Sequence, residues 1–282
     1  MPTCHAQAVE RGVPALPQRY GPITAAASAA AIAAFAVGPG AAADAAAPRQ
    51  TVSYAFTSST PGAVTGNVLS VEFRNPADAS LKPYAAARMV VHIPRGTVTD
   101  TTVPPQCHAT DAEIYVAGPA ACPPETRIGS GFAVSDGGGS ESSRYSQTTI
   151  THFNNQDEIV GIGVVDDIPA IKTIDRTEIE GGTSTSDFPL FPGVPPPEPY
   201  TPVKRLFIYF PPYTRGGRAY TRTPPTCPRA GYWTFTVDFT YRDGVTESTE
   251  SRSPCLRRPS GQSNHPHRKR AKKRHRRHRR HR

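Results

Sequence analysis

The sequence lacks the short motifs by which most catalytic and metal sites are recognised. It has no C-x2-C pair, so the spacing that a zinc site requires is absent. The stretch Ile128-Gly129-Ser130-Gly131 lacks the outer glycine of the G-x-S-x-G nucleophile motif. Only three histidines, His92, His108 and His152, lie between the terminal segments, and none of them forms a local catalytic signature. The sequence therefore predicts no catalytic residue, no cofactor and no metal site.

The chain also has no apolar run of the length that a membrane helix needs. The nearest approach is ITAAASAAAIAAFAV at residues 23–37, which is short and rich in alanine for a span of about 20 residues. Arg11 and Arg19 precede this run, and the small residues Ala43-Asp44-Ala45 follow it. This order is typical of a secretory signal peptide, so we predict a signal peptide at residues 1–45 that is cleaved after Ala45. A weak membrane anchor is the alternative.

Acidic residues are absent from the last 18 residues of the chain. Residues 265–282 hold 11 of the 32 Lys and Arg residues, which leaves 21 cations and 23 acids in the preceding chain. The net charge of +9 therefore belongs to the tail, whereas a nucleic-acid-binding fold usually carries its basic charge on one face of the folded domain. The cations of the tail are Arg268, Lys269, Arg270, Lys272, Lys273, Arg274, Arg276, Arg277, Arg279, Arg280 and Arg282.

We interpret residues 259–282 as a disordered basic tail. Outside the cytoplasm it would attract anionic envelope polymers or lipid, with a strength that falls as salt rises. Specific binding of nucleic acid is disfavoured by the predicted export. A solubilising end without any partner is the alternative, and the oligomeric state is left open.

Four cysteines remain after the predicted signal peptide, and an even number in an exported chain predicts a disulfide framework. The run WTFTVDFTY at 233–241 alternates apolar and polar residues, and Asp243-Gly244 follows it, which predicts a strand and a hairpin turn. The returning strand would bring Cys255 back to Cys227. We therefore predict the disulfides Cys227–Cys255 and Cys107–Cys122.

The segment between Cys107 and Cys122 carries the one helix signal. Thr110 and Glu113 have the spacing of a capping box, which predicts a short helix from residue 111 to about 116, ended by Gly118.

The rest of the body has the alternation and β-branched residues of strands without long helical periods. We predict an all-β fold, a sandwich or a barrel with the sandwich-like form preferred, over a disulfide-bonded domain at 49–258. A proline-rich stretch at 187–202 is predicted to be a stiff surface loop. The other predicted strands are 51–56, 68–73, 88–93, 127–134, 145–153, 159–165, 171–179 and 204–210.

Two acidic pairs, Asp157-Glu158 and Asp166-Asp167, are the remaining candidates for chemistry. Adjacent residues on a strand point to opposite faces, so solvated edge charges are favoured over a calcium site or a catalytic carboxylate pair.

Three stretches together, CPPETRIGSGFA at 122–133, PPTCPRAGYWTF at 224–235 and YRDG followed by SPC at 241–255, resemble secreted four-cysteine β-domain proteins of actinobacterial type. The resemblance covers roughly residues 66–256. It implies an exported β domain with the two disulfides above, and it implies no activity, cofactor or site.

From these features we expect a secreted or envelope-associated, non-catalytic β protein that its basic tail holds to anionic surfaces. A secreted carbohydrate-binding module, with Tyr209, Tyr213 and Tyr220 stacking on a sugar, is the first alternative. An unrecognised secreted enzyme is the second. A pocket that brings a histidine to a carboxylate would favour the enzyme, and an exposed row of aromatic residues would favour the binding module.

Overall fold

The computed structural model describes residues 47–138, 144–189 and 201–256, and within them the all-β fold class is confirmed. One α-helix, α1, spans Asp111–Ala117, and 3-10 turns follow it at Gly118–Ala121 and Pro124–Thr126. The strands are β1 (Gln50–Phe56), β2 (Asn67–Phe73), β3 (Ala86–His92), β4 (Val98–Thr99), β5 (Arg127–Asp136), β6 (Tyr145–Asn155), β7 (Glu158–Val165), β8 (Ile168–Glu180), β9 (Thr183–Asp187), β10 (Val203–Phe210), β11 (Thr214–Arg215), β12 (Arg218–Ala219), β13 (Thr221–Arg222), β14 (Tyr232–Tyr241) and β15 (Thr246–Pro254).

Eleven strands form a single antiparallel sheet that nearly closes into a barrel. Their order is β1-β2-β10-β5-β6-β7-β8-β9-β3-β14-β15, and the two edge strands, β1 and β15, come back to lie side by side. Closing a sheet on itself buries its edges, which would otherwise expose unpaired backbone groups. Of the two architectures that the sequence allowed, the chain adopts the barrel. The strand β9 was not predicted, because its sequence TSTSD has no apolar residue to reveal an alternation.

The barrel interior is packed on the side formed by β1, β2, β3 and β14. The predicted alternation of β14 is confirmed: Trp233, Phe235 and Phe239 are buried, with Val237 and Tyr241 between and after them. Aromatic rings from β1 meet those of β14, with Tyr54 stacked on Phe235 at 4.5 Å between ring centroids. This packing anchors one half of the barrel by burial of large apolar side chains.

Serine side chains close the seam between β1 and β15. The Ser251 hydroxyl accepts a hydrogen bond from the Tyr54 amide at 2.7 Å and donates one to the Tyr54 carbonyl at 3.0 Å. The Ser253 hydroxyl accepts from the Phe56 amide at 3.0 Å. Hydroxyl groups of β15 thus satisfy the buried backbone groups of β1 that no neighbouring strand reaches.

Both predicted disulfides are present. Cys227–Cys255 joins the segment before β14 to the end of β15, and Cys107–Cys122 brackets α1. The predicted capping box is also present, with the Glu113 amide donating to the Thr110 hydroxyl at 3.3 Å and the Thr110 amide donating to the Glu113 carboxylate at 2.8 Å.

The helix α1 covers the outer face of the barrel at β6 and β7. Its buried residue Ile114 packs with Phe153, Val160 and Ile162. Arg176 of β8 adds a polar tie, because it pairs with Asp111 at the start of the helix at 2.6 Å. The helix and its disulfide therefore support, from outside, the strands whose inner faces carry the polar groups described below.

Three of the sequence predictions fall wholly or partly outside the described residues: the signal peptide at 1–45, the basic tail at 259–282, and most of the proline-rich loop at 187–202. No helix within 47–138, 144–189 and 201–256 is long and apolar enough to cross a membrane.

Candidate functional site

The barrel interior contains a row of residues with a gap at its centre. In the sheet register, His152 of β6 pairs with Gly161 of β7, which pairs with Asp175 of β8. A Cβ atom added to Gly161 would lie 3.4 Å from the Asp175 Cβ and 3.4 Å from the His152 Cδ2. Because glycine has no side chain, an open slot lies between the imidazole and the carboxyl group. At Gly163, two residues further along β7, the Thr173 side chain already occupies the corresponding space.

This slot belongs to a cavity of about 140 Å³ inside the barrel. A cavity of this size holds a molecule about as large as benzene. Its lining is apolar on the side of β2, β3 and β10, with Leu69, Val91 and Leu206, and rich in hydroxyl groups on the side of β8 and β9, with Thr177 and Ser186. The cavity thus has an apolar wall facing a polar one, as small-molecule sites commonly do.

Asp175 is the acidic group of the polar wall. It accepts hydrogen bonds from the Ser186 hydroxyl at 2.7 Å and from the Thr177 hydroxyl at 2.9 Å. Burial raises the pKa of this carboxyl group to about 6, and the negative charges of Asp187 and Glu158 act in the same direction, while the two hydroxyl groups oppose the rise. Asp175 is part-buried and lines the cavity.

His152 is the basic group of the row and is almost completely buried, with 3% of its surface exposed. Its ring packs on Phe210 at 5.0 Å between centroids, and its Nδ1 atom has no hydrogen-bond partner among the described residues. Burial lowers the pKa of this imidazole to about 4, so the ring is neutral at physiological pH.

Two further residues that line the cavity have a buried polar atom without a partner in the part of the chain that the structure describes. They are the Oδ1 atom of Asn67 and the hydroxyl group of Tyr220, a residue with only 5% of its surface exposed. Burial raises the pKa of Tyr220, so its hydroxyl group stays protonated. Buried polar atoms normally have a partner, and several without one around a single cavity indicate that something else supplies their hydrogen bonds.

The structure brings only one of the three sequence-derived histidines to this cavity. His92 lies on an outer face and forms a 2.7 Å hydrogen bond with Asp238, and His108 is exposed beside the Cys107–Cys122 disulfide. Of the tyrosines considered for sugar stacking, Tyr220 points into the cavity and Tyr209 lies at the surface. They therefore do not form a single exposed row with Tyr213.

The two acidic pairs lie at turns outside the cavity. Glu158 pairs with Arg176 at 2.8 Å, and Asp157 accepts a hydrogen bond from Thr101. Asp166 accepts from Gln147 and Thr149, and the hydrogen bonds from Thr149 contribute most to a lowered pKa of its carboxyl group. No group of acidic, histidine or cysteine side chains that could hold a metal ion occurs in residues 47–138, 144–189 and 201–256.

Sequence reasoning missed Asp175 and the role of Gly161. Asp175 lies in a predicted strand whose two faces are both partly polar, so no alternation marked it as inward-facing. The only available signal was the pair Gly161 and Gly163 inside a strand, since glycine in a strand often marks a place that another group approaches closely.

Comparison of the chain with protein-family models, with curated proteins and with solved structures finds no match. The resemblance to secreted four-cysteine proteins stays a hypothesis, and the function is argued from the cavity.

Proposed function

We propose that this protein is an exported, non-catalytic binding protein that holds a small, mainly apolar molecule inside its barrel. The observation that carries the proposal is the cavity of about 140 Å³ lined by His152, Asn67 and Tyr220, each of which has a buried polar atom without a partner in residues 47–138, 144–189 and 201–256. The apolar body of such a ligand would pack on the apolar wall, and a polar group on it would form hydrogen bonds with the polar side of the lining.

Export is part of the proposal, and two features support it. Two disulfides are compatible with an oxidising compartment, in which such bonds form and persist. The segment at 1–45 has the order of a signal peptide. The basic tail would hold the ligand-binding barrel near an anionic surface of the envelope.

The test of ligand binding uses toluene, an apolar molecule close in size to the cavity, added to the full chain with its disulfides intact. We expect saturable binding by calorimetry and a rise in the unfolding temperature. Gly161→Val should weaken binding at least tenfold, because its methyl groups would occupy the slot between His152 and Asp175 while its Cβ makes only ordinary contacts.

Val164→Leu provides the matched control, since it adds volume to the same strand at an alternate position that faces away from the cavity. It should bind toluene as the unsubstituted chain does. If toluene does not bind the unsubstituted chain, or if Gly161→Val binds it equally well, the cavity is not a ligand site and the proposal is wrong.

An acid–base enzyme is the second candidate, and the row of His152 and Asp175 favours it. A carboxyl group with a pKa raised to about 6 has the property that a general acid or base needs near neutral pH. His152 fits such a role less well, because its lowered pKa makes it a weak base. The two candidates differ in the fate of the ligand, which mass spectrometry shows: a binding protein releases it unchanged, whereas an enzyme converts it.

A further inference from the structure

The charge inside the barrel has one sign. Among the described residues that line the cavity there are two acids, Asp175 and Asp187, and no lysine or arginine. The Asp187 side chain is exposed and follows the inward-facing Ser186, so its carboxylate lies on the outer face and Asp175 alone carries charge inside. Asp187 is already neutralised, because its exposed carboxylate forms two hydrogen bonds with the Arg88 guanidinium, at 2.6 and 3.0 Å. Asp175 differs, since both of its partners, Ser186 and Thr177, are uncharged hydroxyl groups.

Arg176, the cation nearest to Asp175 in the sequence, does not form an ion pair with it. Arg176 is the next residue of β8 and therefore points to the outer face, where it pairs with Asp111 and Glu158. The charged groups that act on Asp175, namely Asp187 and Glu158, are both acidic. A buried carboxylate without a cationic partner is unfavourable, and a cation placed beside it removes that penalty.

The other polar atoms of the cavity also suit a ligand that donates hydrogen bonds. Asn67 presents a carbonyl oxygen, and the Tyr220 hydroxyl can accept as well as donate. His152 is neutral, so one of its ring nitrogens is an acceptor, and its Nε2 lies 3.5 Å from the position of a Cβ at Gly161. The cavity is therefore rich in acceptors and carries an unmatched negative charge.

From this arrangement we infer that the barrel interior binds a small primary amine with an apolar body, whose ammonium group occupies the slot over Gly161 between Asp175 and His152. The inference rests on the proposed function, because it names the chemical class of the ligand that the same cavity takes. An ammonium group carries three donors and one positive charge, which matches the acceptors and the carboxylate. A carboxylate ligand would meet the charge of Asp175 in a medium of low dielectric constant and would be repelled.

The test compares three probes of similar size on the full, disulfide-bonded chain at neutral pH: benzylamine, toluene and benzoate. We expect benzylamine to bind at least tenfold more tightly than toluene, and benzoate to bind most weakly. Asp175→Asn keeps the shape of the side chain and removes its charge, so the advantage of benzylamine over toluene should fall to within about threefold, while toluene binding remains.

Asp187→Asn is the matched control, because it removes a neighbouring acid whose exposed carboxylate pairs with Arg88 on the outer face. It should retain the tenfold preference for benzylamine. Toluene binding by each variant shows that its barrel is folded and its cavity intact. If a variant fails to bind toluene, the inference is judged from the affinities of benzylamine and toluene for the unsubstituted chain.

The results separate this inference from the proposed function. Equal binding of toluene and benzylamine, or tighter binding of benzoate, overturns the inference about amines and leaves the ligand-binding proposal in place. Failure of the unsubstituted chain to bind toluene overturns the ligand-binding proposal and, with it, the inference that rests on it. The inference is also overturned if Asp187→Asn loses the preference for benzylamine while Asp175→Asn keeps it. In that case the carboxylate that binds the ammonium group is Asp187 and not Asp175.

Discussion

Two groups that line the cavity respond to pH in opposite directions. The pKa of Asp175 is raised to about 6, so the folded state holds its proton more tightly than the unfolded state between about pH 4 and 6. Its contribution to stability is therefore lost as the pH rises through that range. The pKa of His152 is lowered to about 4, so its contribution is present above about pH 6.5 and is lost as the pH falls towards 4. In the unsubstituted chain the two contributions largely cancel.

Single substitutions should uncover each contribution. Because one pKa unit corresponds to about 1.4 kcal/mol, each group changes the free energy of unfolding by about 3 kcal/mol across this range. Relative to the unsubstituted chain, Asp175→Asn should gain stability by up to about 3 kcal/mol as the pH rises from 4 to 6.5. His152→Gln should lose a similar amount over the same range. Urea unfolding with the disulfides intact, at half-unit steps of pH, measures both differences.

Asp187→Asn serves as a control for Asp175→Asn, because the stability contributed by Asp187 should change with pH in the opposite direction. The hydrogen bond from Arg88 lowers the pKa of the Asp187 carboxyl group, so this residue contributes stability above its unfolded pKa and loses it in acid. The effect should be small, because the pair is exposed. A flat difference between Asp175→Asn and the unsubstituted chain from pH 4 to 6.5 would show that the pKa of Asp175 is not raised.

At the scale of the strands, the seam between β1 and β15 distinguishes this barrel from one closed by backbone pairing. The Ser251 hydroxyl bonds both backbone groups of Tyr54, and Ser253 bonds the Phe56 amide. Both serines lie opposite large aromatic residues of β14, since Ser251 pairs with Phe235 and Ser253 with Trp233. Serine suits both positions, because its side chain is small enough to leave room for the aromatic rings of β14 and its hydroxyl group still reaches the backbone of β1.

Ser251→Ala should destabilise the protein by about 1–3 kcal/mol, because it leaves a buried backbone amide and carbonyl of β1 without their partner. Chemical denaturation measures the change, and hydrogen exchange should show faster exchange of the Tyr54 amide. Ser248→Ala removes an exposed hydroxyl group of the same strand, whose partner is the exposed Asp238 carboxylate, so it should change stability by less than about 1 kcal/mol. Equal effects of the two substitutions would mean that the serine hydroxyl does not hold the seam closed.

The strands themselves could be predicted from the sequence far better than their arrangement. The strand β14 was visible because, over residues 233–241, its inward residues are aromatic or aliphatic and its outward residues are threonine and aspartate. The helix α1 was visible because its capping box is local in sequence. By contrast, the row of His152, Gly161 and Asp175 depends on the register of three strands, and the seam joins residues almost 200 positions apart. Such contacts follow from the closed sheet as a whole, and no local pattern encodes them.

At the scale of the whole molecule, charge is divided between the barrel and the tail. The chain before residue 265 has 21 cations and 23 acids, and the last 18 residues have 11 cations and no acid. A nearly neutral barrel gains little from a charged surface, whereas the tail gains from each anion that it neutralises. The two proposed roles, binding of a small molecule and retention at a surface, therefore depend on separate parts of the chain, and we expect each to change without the other.

The final prediction concerns that separation. In fractionated cells, the full chain should stay with the envelope at low salt and be released at high salt, because an interaction that neutralises six to ten phosphates weakens by roughly a thousandfold or more between about 50 and 200 mM salt. A chain that ends at Pro259 should appear in the soluble fraction at every salt concentration. Both chains should bind toluene equally, since the cavity lies wholly within the barrel.

A third chain, with the tail kept at full length and its 11 Lys and Arg residues replaced by Gln, separates charge from length. It should behave like the chain that ends at Pro259. If all three chains partition alike and none is released by salt, the tail does not hold the protein at a surface. If the glutamine tail still retains the protein, the contact is made by another property of the segment, because the long-range attraction between the tail and a polyanion disappears with its charge.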